Sequence, residues 1–322
     1  MAARLAVRTS ATLLLAALNA PLHAEAPETL SGTLSLSGAW ALYPMAVRWG
    51  EEFHKLHPGV QFDTSAGGAG KGMTDVLTGA VDVGLVSREV VEAEVAKGAL
   101  PFAVAKDAVI PMVNARNPML AELRSKGVKR EALQGIWLTG EVKTWGQAAG
   151  TSDRTPIRVY TRSDACGAAQ TWAAYFGKNQ EDLKGIGVYG DPGLGEAVRR
   201  DAFGIGYNNV NYAYDAKTGV PVAGLAVLPL DVNGNGVLDP AENFYATQRE
   251  LMDAISRGVF PSPPARDLYF VTKGTPTNPL AVAFLRWVLT DGQRFVEESG
   301  YIPVAKDRLE AGLAKLAPPA AR

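Results

Sequence analysis

One stretch of the chain decides the fold: Ile157-Arg158-Val159-Tyr160-Thr161-Arg162-Ser163-Asp164-Ala165-Cys166-Gly167-Ala168. Its pattern predicts a strand that ends in a turn, followed by the start of a helix. The turn carries an arginine, an aspartate two residues later and a glycine at the helix entrance. Backbone amides at a helix N-terminus favour an anion, and a guanidinium adds charge and a planar fork of donors. This stretch therefore predicts an oxyanion site centred on Arg162.

The composition limits what kind of protein this is. The chain has 322 residues, is 47% hydrophobic and carries a net charge of −1, which favours two lobes and gives no general attraction to nucleic acid or to membrane surfaces. Cys166 is the only cysteine, so an intramolecular disulfide is excluded. The three histidines, at 23, 54 and 57, do not suit a His-rich zinc site.

The N-terminus is typical of a signal peptide. Arg4 and Arg8 precede the apolar run from Ala11 to Leu18, and small residues follow, with cleavage expected after Ala24 or Ala26. The run is too short for a membrane anchor, and no later segment is long and apolar enough to span a bilayer. We expect residues 1–24 to be removed and the mature chain to be a periplasmic protein with no membrane insertion.

Strands and helices alternate after the leader, which predicts an α/β fold with mainly parallel sheets. Ligands of such sheets bind beyond the carboxyl ends of the strands. In the first part of the chain, three turns lie there: Gly38 to Leu42, the glycine-rich turn Gly67 to Gly72, and Ser87-Arg88. Two of them consist largely of small residues, which let a ligand approach the backbone.

Two extended runs, 102–113 and 267–272, are predicted to cross between lobes. They divide the chain into lobe 1 (27–107 with 268–313) and lobe 2 (108–267), joined as a hinged clamshell. A long amphipathic helix is predicted over 281–299, and an Ala/Pro-rich frayed tail over 314–322. The cleft would then have the glycine-rich turn on one side and the Arg162 turn on the other.

Taken in order, several short motifs resemble one family, the periplasmic phosphate-binding proteins of ABC transporters, which have the type II periplasmic binding fold. The motifs that carry the resemblance are Ser37-Gly38 to Tyr43-Pro44, Gly67 to Gly72, Val81 to Arg88, Arg162 to Ala168, Gly204 to Tyr207, and Gly300 to Val304. The resemblance covers nearly all of the mature chain. It implies a two-lobe clamshell that captures an inorganic oxyanion, most simply phosphate, and delivers it to a permease without catalysing a reaction.

The resemblance also implies a set of ligand residues. Arg162 would bind the anion, Asp164 would orient the guanidinium, and backbone amides of both lobes would point at the ligand. The implied ligand-binding residues are Ala41, Leu42, Ala69, Gly70, Lys71, Ser87, Arg88, Arg162, Asp164, Cys166, Gly167 and Ala168.

This chain departs from the family at its hydroxyl donors. Cys166 and Ala168 stand where the family has Ser and Thr, and Ala41 and Ala69 or Gly70 stand where it has further hydroxyls. Lys71 and Arg88 are cations that either face the cleft in compensation or point to solvent. The departures leave open a different anionic solute as the ligand. A catalytic thiol at Cys166 is disfavoured because no histidine is placed as its base.

A second motif lies at residues 231–242, Asp-Val-Asn-Gly-Asn-Gly-Val-Leu-Asp-Pro-Ala-Glu. It matches a twelve-residue calcium loop at every ligand position. The predicted ligands are Asp231, Asn233, Asn235, the Val237 carbonyl, Asp239 and Glu242, around a structural calcium ion. A metal-free Asn-Gly turn is the alternative. The expected protein is thus a monomeric, exported solute-binding protein, and a calcium-stabilised interaction protein without transport function is the alternative from another class.

Overall fold

A computed structural model describes residues 30–316. The predicted signal peptide and the last residues of the predicted tail therefore lie outside the described residues. No helix in the described part is long and apolar enough to cross a membrane.

The elements alternate between strands and helices along most of the chain, as the sequence predicts. The strands are β1 Gly32–Gly38, β2 Val60–Ala66, β3 Val83–Val86, β4 Ala99–Asn114, β5 Val128–Lys129, β6 Arg158–Arg162, β7 Ile186–Val188, β8 Gly204–Asn209, β9 Leu225–Val227, β10 Leu230–Asp231 and β11 Ala265–Lys273. The helices are α1 Tyr43–Leu56, α2 Ala69–Thr78, α3 Glu92–Val95, α4 Leu120–Lys126, α5 Arg130–Gln134, α6 Trp145–Ala149, α7 Gly167–Tyr175, α8 Asp191–Arg200, α9 Val210–Ala213, α10 Gln248–Ser256, α11 Pro279–Val288 and α12 Lys306–Lys315.

The main sheet runs in the order β2-β1-β3-β11-β4-β8-β6-β7, with β9 also paired to β4. β1 pairs in parallel with β2 and β3, and β6 pairs in parallel with β7 and β8. The long strands β4 and β11 lie antiparallel between these two parallel groups. They are the two extended crossovers that the sequence predicts.

Two hydrophobic cores lie on either side of these crossovers. One core contains Trp49, Phe53, Phe102, Phe270 and Phe284, and the other is built around Trp137, Trp145, Trp172 and Tyr207. The change from one core to the other falls in β4 between Ala105 and Ala108, and in β11 between Ala265 and Leu268. The molecule is thus the two-lobe α/β clamshell that the sequence predicts.

Some predicted elements differ in extent. The helix predicted over 281–299 ends at Val288 and is followed by a 3₁₀ turn at Asp291–Phe295. Thr290 leaves helical geometry, with φ −123° and ψ −100°, and the Gly292 carbonyl beyond it accepts from Trp49 Nε1 at 2.8 Å. At the other end of the lobe, α12 extends to Lys315, into the predicted tail, because Leu309 and Leu313 pack against the core.

Candidate anion-binding site

The Arg162 turn joins the carboxyl end of β6 to the first residue of α7. Cys166 is the N-cap of this helix in an extended conformation, and its Sγ accepts a hydrogen bond from the Ala169 amide at 3.4 Å. The amides of Gly167 and Ala168 donate to no acceptor among the described residues. The local sequence therefore produces a helix N-terminus with two amides available for a ligand.

The Arg162 side chain is fully buried and lies between two carboxylates. Its Nε and Nη2 donate to Asp164 at 2.8 and 2.5 Å, which forms the predicted salt bridge, and Nη1 donates to Asp191. A guanidinium has five N–H groups. Since three are used here, one N–H remains on each terminal nitrogen within the described structure.

Burial and charge act in opposite directions on this cluster. Burial raises the pKa of Asp191 to about 6, although the positive charges of Arg162 and Arg266 act to lower it. Burial by itself lowers the pKa of Arg162, but the negative charges, Asp191 foremost, outweigh it and raise that pKa. Arg162 is therefore always protonated, whereas Asp191 can change its protonation state near neutral pH.

A buried polar network continues from Asp191 toward the crossover strands. Asn208 donates to the Asp191 carbonyl at 2.9 Å, and Asn209 donates to its carboxylate at 2.6 Å. The Asn209 side-chain oxygen accepts from Arg266, whose Nε donates to Asp107 at 2.8 Å. Asp107 and Arg266 belong to β4 and β11, so the network links the arginine of the cleft to the hinge strands.

Sequence reasoning missed three members of this network: Asp191, Asp107 and Arg266. Asp191 lies 29 positions after Arg162, and nothing in its local sequence distinguishes it from an ordinary acidic residue in the first turn of a helix. Asp107 and Arg266 interrupt otherwise apolar crossover strands, which is the one signal that pointed to paired buried charges.

The glycine-rich turn of lobe 1 lies directly against the Arg162 turn. The Gly70 amide donates to the Ala165 carbonyl at 3.1 Å. A Cβ atom on Gly68 would lie only 2.8 Å from the Ala165 carbonyl oxygen. A Cβ atom on Gly167 would lie only 2.2 Å from the Ser87 carbonyl oxygen. The structure thus brings together the predicted residues Ala69, Gly70, Ser87, Arg162 and the 164–168 segment, with the lobes closed upon each other.

The other predicted residues of lobe 1 have local partners. The Ala41 carbonyl accepts from Tyr301 at 2.7 Å, and the Leu42 amide donates to the Ala39 carbonyl at 3.1 Å. Lys71 donates to Ser37 at 2.6 Å and pairs with Asp75, within its own lobe. The Ala41 amide makes no hydrogen bond in the described structure, so this turn contributes Ala41 rather than Leu42 as a free donor.

Arg88 forms a bidentate salt bridge with Glu94, in which Nη1 donates to Oε2 at 2.9 Å and Nη2 donates to Oε1 at 2.7 Å. Because Glu94 belongs to α3, which follows Arg88 closely in the chain, the guanidinium is held by its own lobe. Arg88 still lines an interlobe groove of about 690 Å³ beside Cys166 and Gly70. The charged residues of this groove include both signs, so it adds no net positive field to the turn.

Trp40 fills the space next to the α8 N-terminus. Its ring lies edge-on to Tyr189, with centroids 6.4 Å apart, and it approaches Gly190 closely. The Trp40 carbonyl accepts from Tyr212 across the cleft at 3.1 Å. The indole Nε1 is buried and has no hydrogen-bond partner in the described part of the chain, so Trp40 brings a further unused donor to the interface.

The thiol of Cys166 is chemically quiet. Burial raises the pKa of Cys166 to about 12, and the nearby guanidinium of Arg162 does not reverse the shift. Since the thiolate is the nucleophilic form, the group is suited to capping α7 rather than to covalent chemistry.

Comparisons with known proteins agree with this architecture. The sequence model of the PBP superfamily domain matches residues 23–292. The phosphate-binding protein PstS of Bacillus subtilis is 28% identical over 285 residues, covering 87% of this chain and 84% of its own length. PstS of Pseudomonas aeruginosa is 27% identical over 313 residues, covering 89% and 88%.

Solved structures show the same fold. A putative phosphate ABC transporter substrate-binding protein with bound phosphate from Clostridium perfringens superimposes with a TM-score of 0.69 at 20% identity, covering 85% of this chain and all of that chain. An ABC-type phosphate transport receptor from Vibrio cholerae gives a TM-score of 0.61 at 18% identity, with 84% of this chain covered. At these identities the likeness concerns the fold.

Proposed function

The chain belongs to the PBP superfamily, and we propose that it captures inorganic phosphate between its two lobes and delivers it to the permease of an ABC importer. Relatives over most of its length carry the name phosphate-binding protein. In this proposal the protein is exported to the periplasm by the predicted signal peptide, works as a monomer and catalyses no reaction.

The observation that carries the proposal is the state of the Arg162 guanidinium. It is buried, is kept in one orientation by Asp164 and Asp191, and has one N–H on each terminal nitrogen without an acceptor among residues 30–316. The amides of Gly167 and Ala168, which also have no acceptor in that part of the chain, lie at the N-terminus of the helix that follows. Planar donors and a helix N-terminus together suit a small tetrahedral oxyanion that has lost its water.

The two carboxylates favour phosphate over sulfate. At neutral pH phosphate still carries at least one proton, and it can donate that proton to a carboxylate oxygen. Sulfate has none to donate, so a neighbouring Asp164 or Asp191 carboxylate repels it. In this proposal the Asp164 and Asp191 carboxylates that hold Arg162 are also the acceptors for the phosphate proton.

The missing hydroxyls predict modest affinity. A hydrogen bond to a charged group contributes about 1.5–3 kcal/mol, so each absent Ser or Thr donor weakens binding by roughly tenfold or more. The site depends instead on backbone amides and on Arg162. Closure of the lobes, as in this structure, then shields the anion from water and strengthens the remaining interactions.

Calorimetry of the mature protein with phosphate, sulfate and small carboxylates tests the proposal. Phosphate should bind with one site per chain. Arg162→Lys, which keeps the charge but loses the fork, should weaken binding by about 100-fold, because two charge-assisted hydrogen bonds are replaced by one. Cys166→Ser, which restores a hydroxyl, should strengthen binding by about tenfold.

Two outcomes would reject the proposal. One is the absence of heat with phosphate although circular dichroism shows a folded protein. The other is binding of a different solute whose affinity does not change in Arg162→Lys. A preference for sulfate or a carboxylate that still depends on Arg162 would keep the site and replace the ligand.

A further inference from the structure

The segment 231–242 lies outside the cleft, at the edge of lobe 2. It starts in β10, which pairs with β5 at Leu230↔Val128 and Asp231↔Lys129. It is tied to α4 by the Leu238 amide, which donates to the Ser125 carbonyl at 3.2 Å. After it, Phe244 and Tyr245 stack on each other and pack into the core of lobe 2. Both ends of the segment are therefore anchored.

The backbone of this segment curls around its first and last residues. The Asp231 carboxylate accepts from the amides of Gly234 and Gly236, both at 2.7 Å. Glu242 Oε1 accepts from the amides of Val232 and Asn233, both at 3.0 Å. Asp231, the first residue of the twelve-residue pattern, and Glu242, the last, thus both bind the backbone of the same loop. Both are buried: Asp231 is 2% exposed and Glu242 is 7% exposed.

The second oxygen of Glu242 distinguishes this loop from an ordinary polar turn. Glu242 Oε2 is buried and has no hydrogen-bond partner within the described residues, while Oε1 of the same carboxylate is bonded to the loop backbone. A buried carboxyl oxygen without a hydrogen-bond partner is unfavourable. A cation bound by both Glu242 oxygens removes this penalty, and bidentate coordination is what the last position of a calcium loop provides.

The turn at Gly236 has the conformation that such a loop needs. Its φ is 82°, in the left-handed region that favours glycine, at the position where the motif makes its sharp turn. Asn233 and Asn235 donate their side-chain amides to Asp239, at 2.8 and 2.9 Å. These three side chains are therefore already adjacent, while the two amide oxygens accept from the backbone amides of Asn235 and Val237.

From these contacts we infer a calcium site in lobe 2. The ligands are the side chains of Asp231, Asn233, Asn235, Asp239 and Glu242 and the carbonyl of Val237. In the described structure no three His, Cys, Asp or Glu side chains are gathered as a metal site, so binding requires the Asn and Asp239 side chains to reorient. Oxygen ligands without nitrogen or sulfur select Ca²⁺ or Mg²⁺, and a flexible loop with a bidentate Glu favours Ca²⁺.

The charge of the loop sets the expected affinity. The proposed ligands comprise three carboxylates and two neutral side-chain amides, so the site has less negative charge than one with five carboxylates. The positive charge of Lys129 also lies nearby, since its Nζ would be 3.7 Å from a Cβ on Gly236. A reduced negative charge weakens calcium binding toward the range of extracellular modules, about 10⁻⁴–10⁻³ M. The bound ion would fix the connection between β10 and α10 without contacting the cleft.

The test is a titration of chelator-treated, phosphate-free protein with CaCl₂ and, separately, MgCl₂. We expect one calcium per chain, weaker magnesium binding, and a rise in Tm of about 3 °C when calcium is tenfold above its Kd. Glu242→Gln, which keeps the shape but lowers the charge, should weaken calcium binding by about tenfold or more. Glu131→Gln, an exposed glutamate on α5, is the matched control and should bind calcium like the parent protein.

Circular dichroism and phosphate calorimetry verify that Glu242→Gln is folded. If that variant does not fold, Asp239→Asn decides the question, because Asp239 is more exposed and its loss should still weaken calcium binding severalfold. Absence of calcium binding up to about 10 mM, well above the expected range, overturns the inference. Calcium binding that neither variant weakens overturns it as well.

Discussion

The proposed anion site at the Arg162 turn and the proposed calcium site in the 231–242 loop differ in how the chain assembles them. The Arg162 turn needs partners from α2, α8 and the Ser87 turn before its guanidinium and amides form a site. The proposed calcium ligands of the loop all come from one continuous stretch of twelve residues. A cleft site is therefore sensitive to how distant segments pack, whereas a loop site responds to local spacing and local charge.

This difference also concerns what each site does for the protein. The Arg162 turn meets lobe 1 at Gly70 and Ser87, so under the proposed function occupation of the cleft would be coupled to the lobe arrangement. The 231–242 loop lies within lobe 2, so a cation bound there would affect the stability of that lobe alone. Substitutions in the cleft should change ligand binding and lobe closure together, and substitutions in the loop should change neither.

The largest effect is expected from Gly167→Ala. A Cβ at this position would lie 2.2 Å from the carbonyl and hydroxyl oxygens of Ser87, which belongs to the other lobe, so the closed arrangement cannot persist. Steric strain of about 1–3 kcal/mol weakens phosphate binding by roughly 10–100-fold. Calorimetry measures the affinity, and small-angle scattering should show a larger radius of gyration with phosphate than for the parent protein.

Gly195→Ala is the control for that experiment. It also adds a methyl group to a helical glycine of lobe 2, but its Cβ would meet only Asn208 Nδ2 at 3.6 Å, an ordinary contact. If the Gly167→Ala variant has the same phosphate affinity and the same radius of gyration with phosphate as the Gly195→Ala variant, the contact between the lobes at Ser87 is unrelated to phosphate binding.

An intermediate effect is expected from Asp191→Asn. Because folding raises the pKa of Asp191 to about 6, the native state binds this proton more tightly than the unfolded chain does. Protonation of Asp191 therefore adds to the free energy of unfolding, by at most about 3 kcal/mol. This contribution is fully present below about pH 4 and is lost as the pH rises through about 6. The asparagine variant has no such group, so its stability relative to the parent should increase between pH 4 and 7.

Thermal unfolding of both proteins across that range measures this difference. Asp107, whose pKa burial also raises, is present in both proteins, so the difference between the curves reports Asp191 together with its coupling to Asp107. Parallel curves for the two proteins would show that Asp191 does not titrate in the folded state within this window.

The smallest effect is expected from Gly236→Ala in the loop. An alanine at φ of 82° is strained by about 1 kcal/mol, and the added methyl group meets only the end of Lys129, at 3.7 Å. Urea denaturation should show this loss of stability, while phosphate affinity remains that of the parent protein. A change in phosphate affinity would mean that the loop and the cleft are coupled, and the contrast between the two regions would fail.

Much of the fold could be predicted because its signals are local. The alternation of strands and helices and the two crossovers β4 and β11 follow from apolar runs and their punctuation. The end of α11 could not be predicted, because the turn after it includes the Gly292 carbonyl that accepts from Trp49 Nε1, a partner far away in the chain. Helical periodicity continued past this point and indicated a longer helix.

For the site, the sequence by itself determined Arg162, its partner Asp164 and the helix that begins at Gly167, since these residues lie within one turn of chain. It also determined the spacing of the 231–242 pattern. Only the tertiary structure decided that Asp191 completes the clamp on Arg162, that Lys71 and Arg88 pair within their own lobe, and that Gly70 and Ser87 lie against the turn. The physical reason is that neighbouring residues determine the local backbone geometry, whereas charge pairing and lobe contact depend on distances between segments that are far apart in the chain.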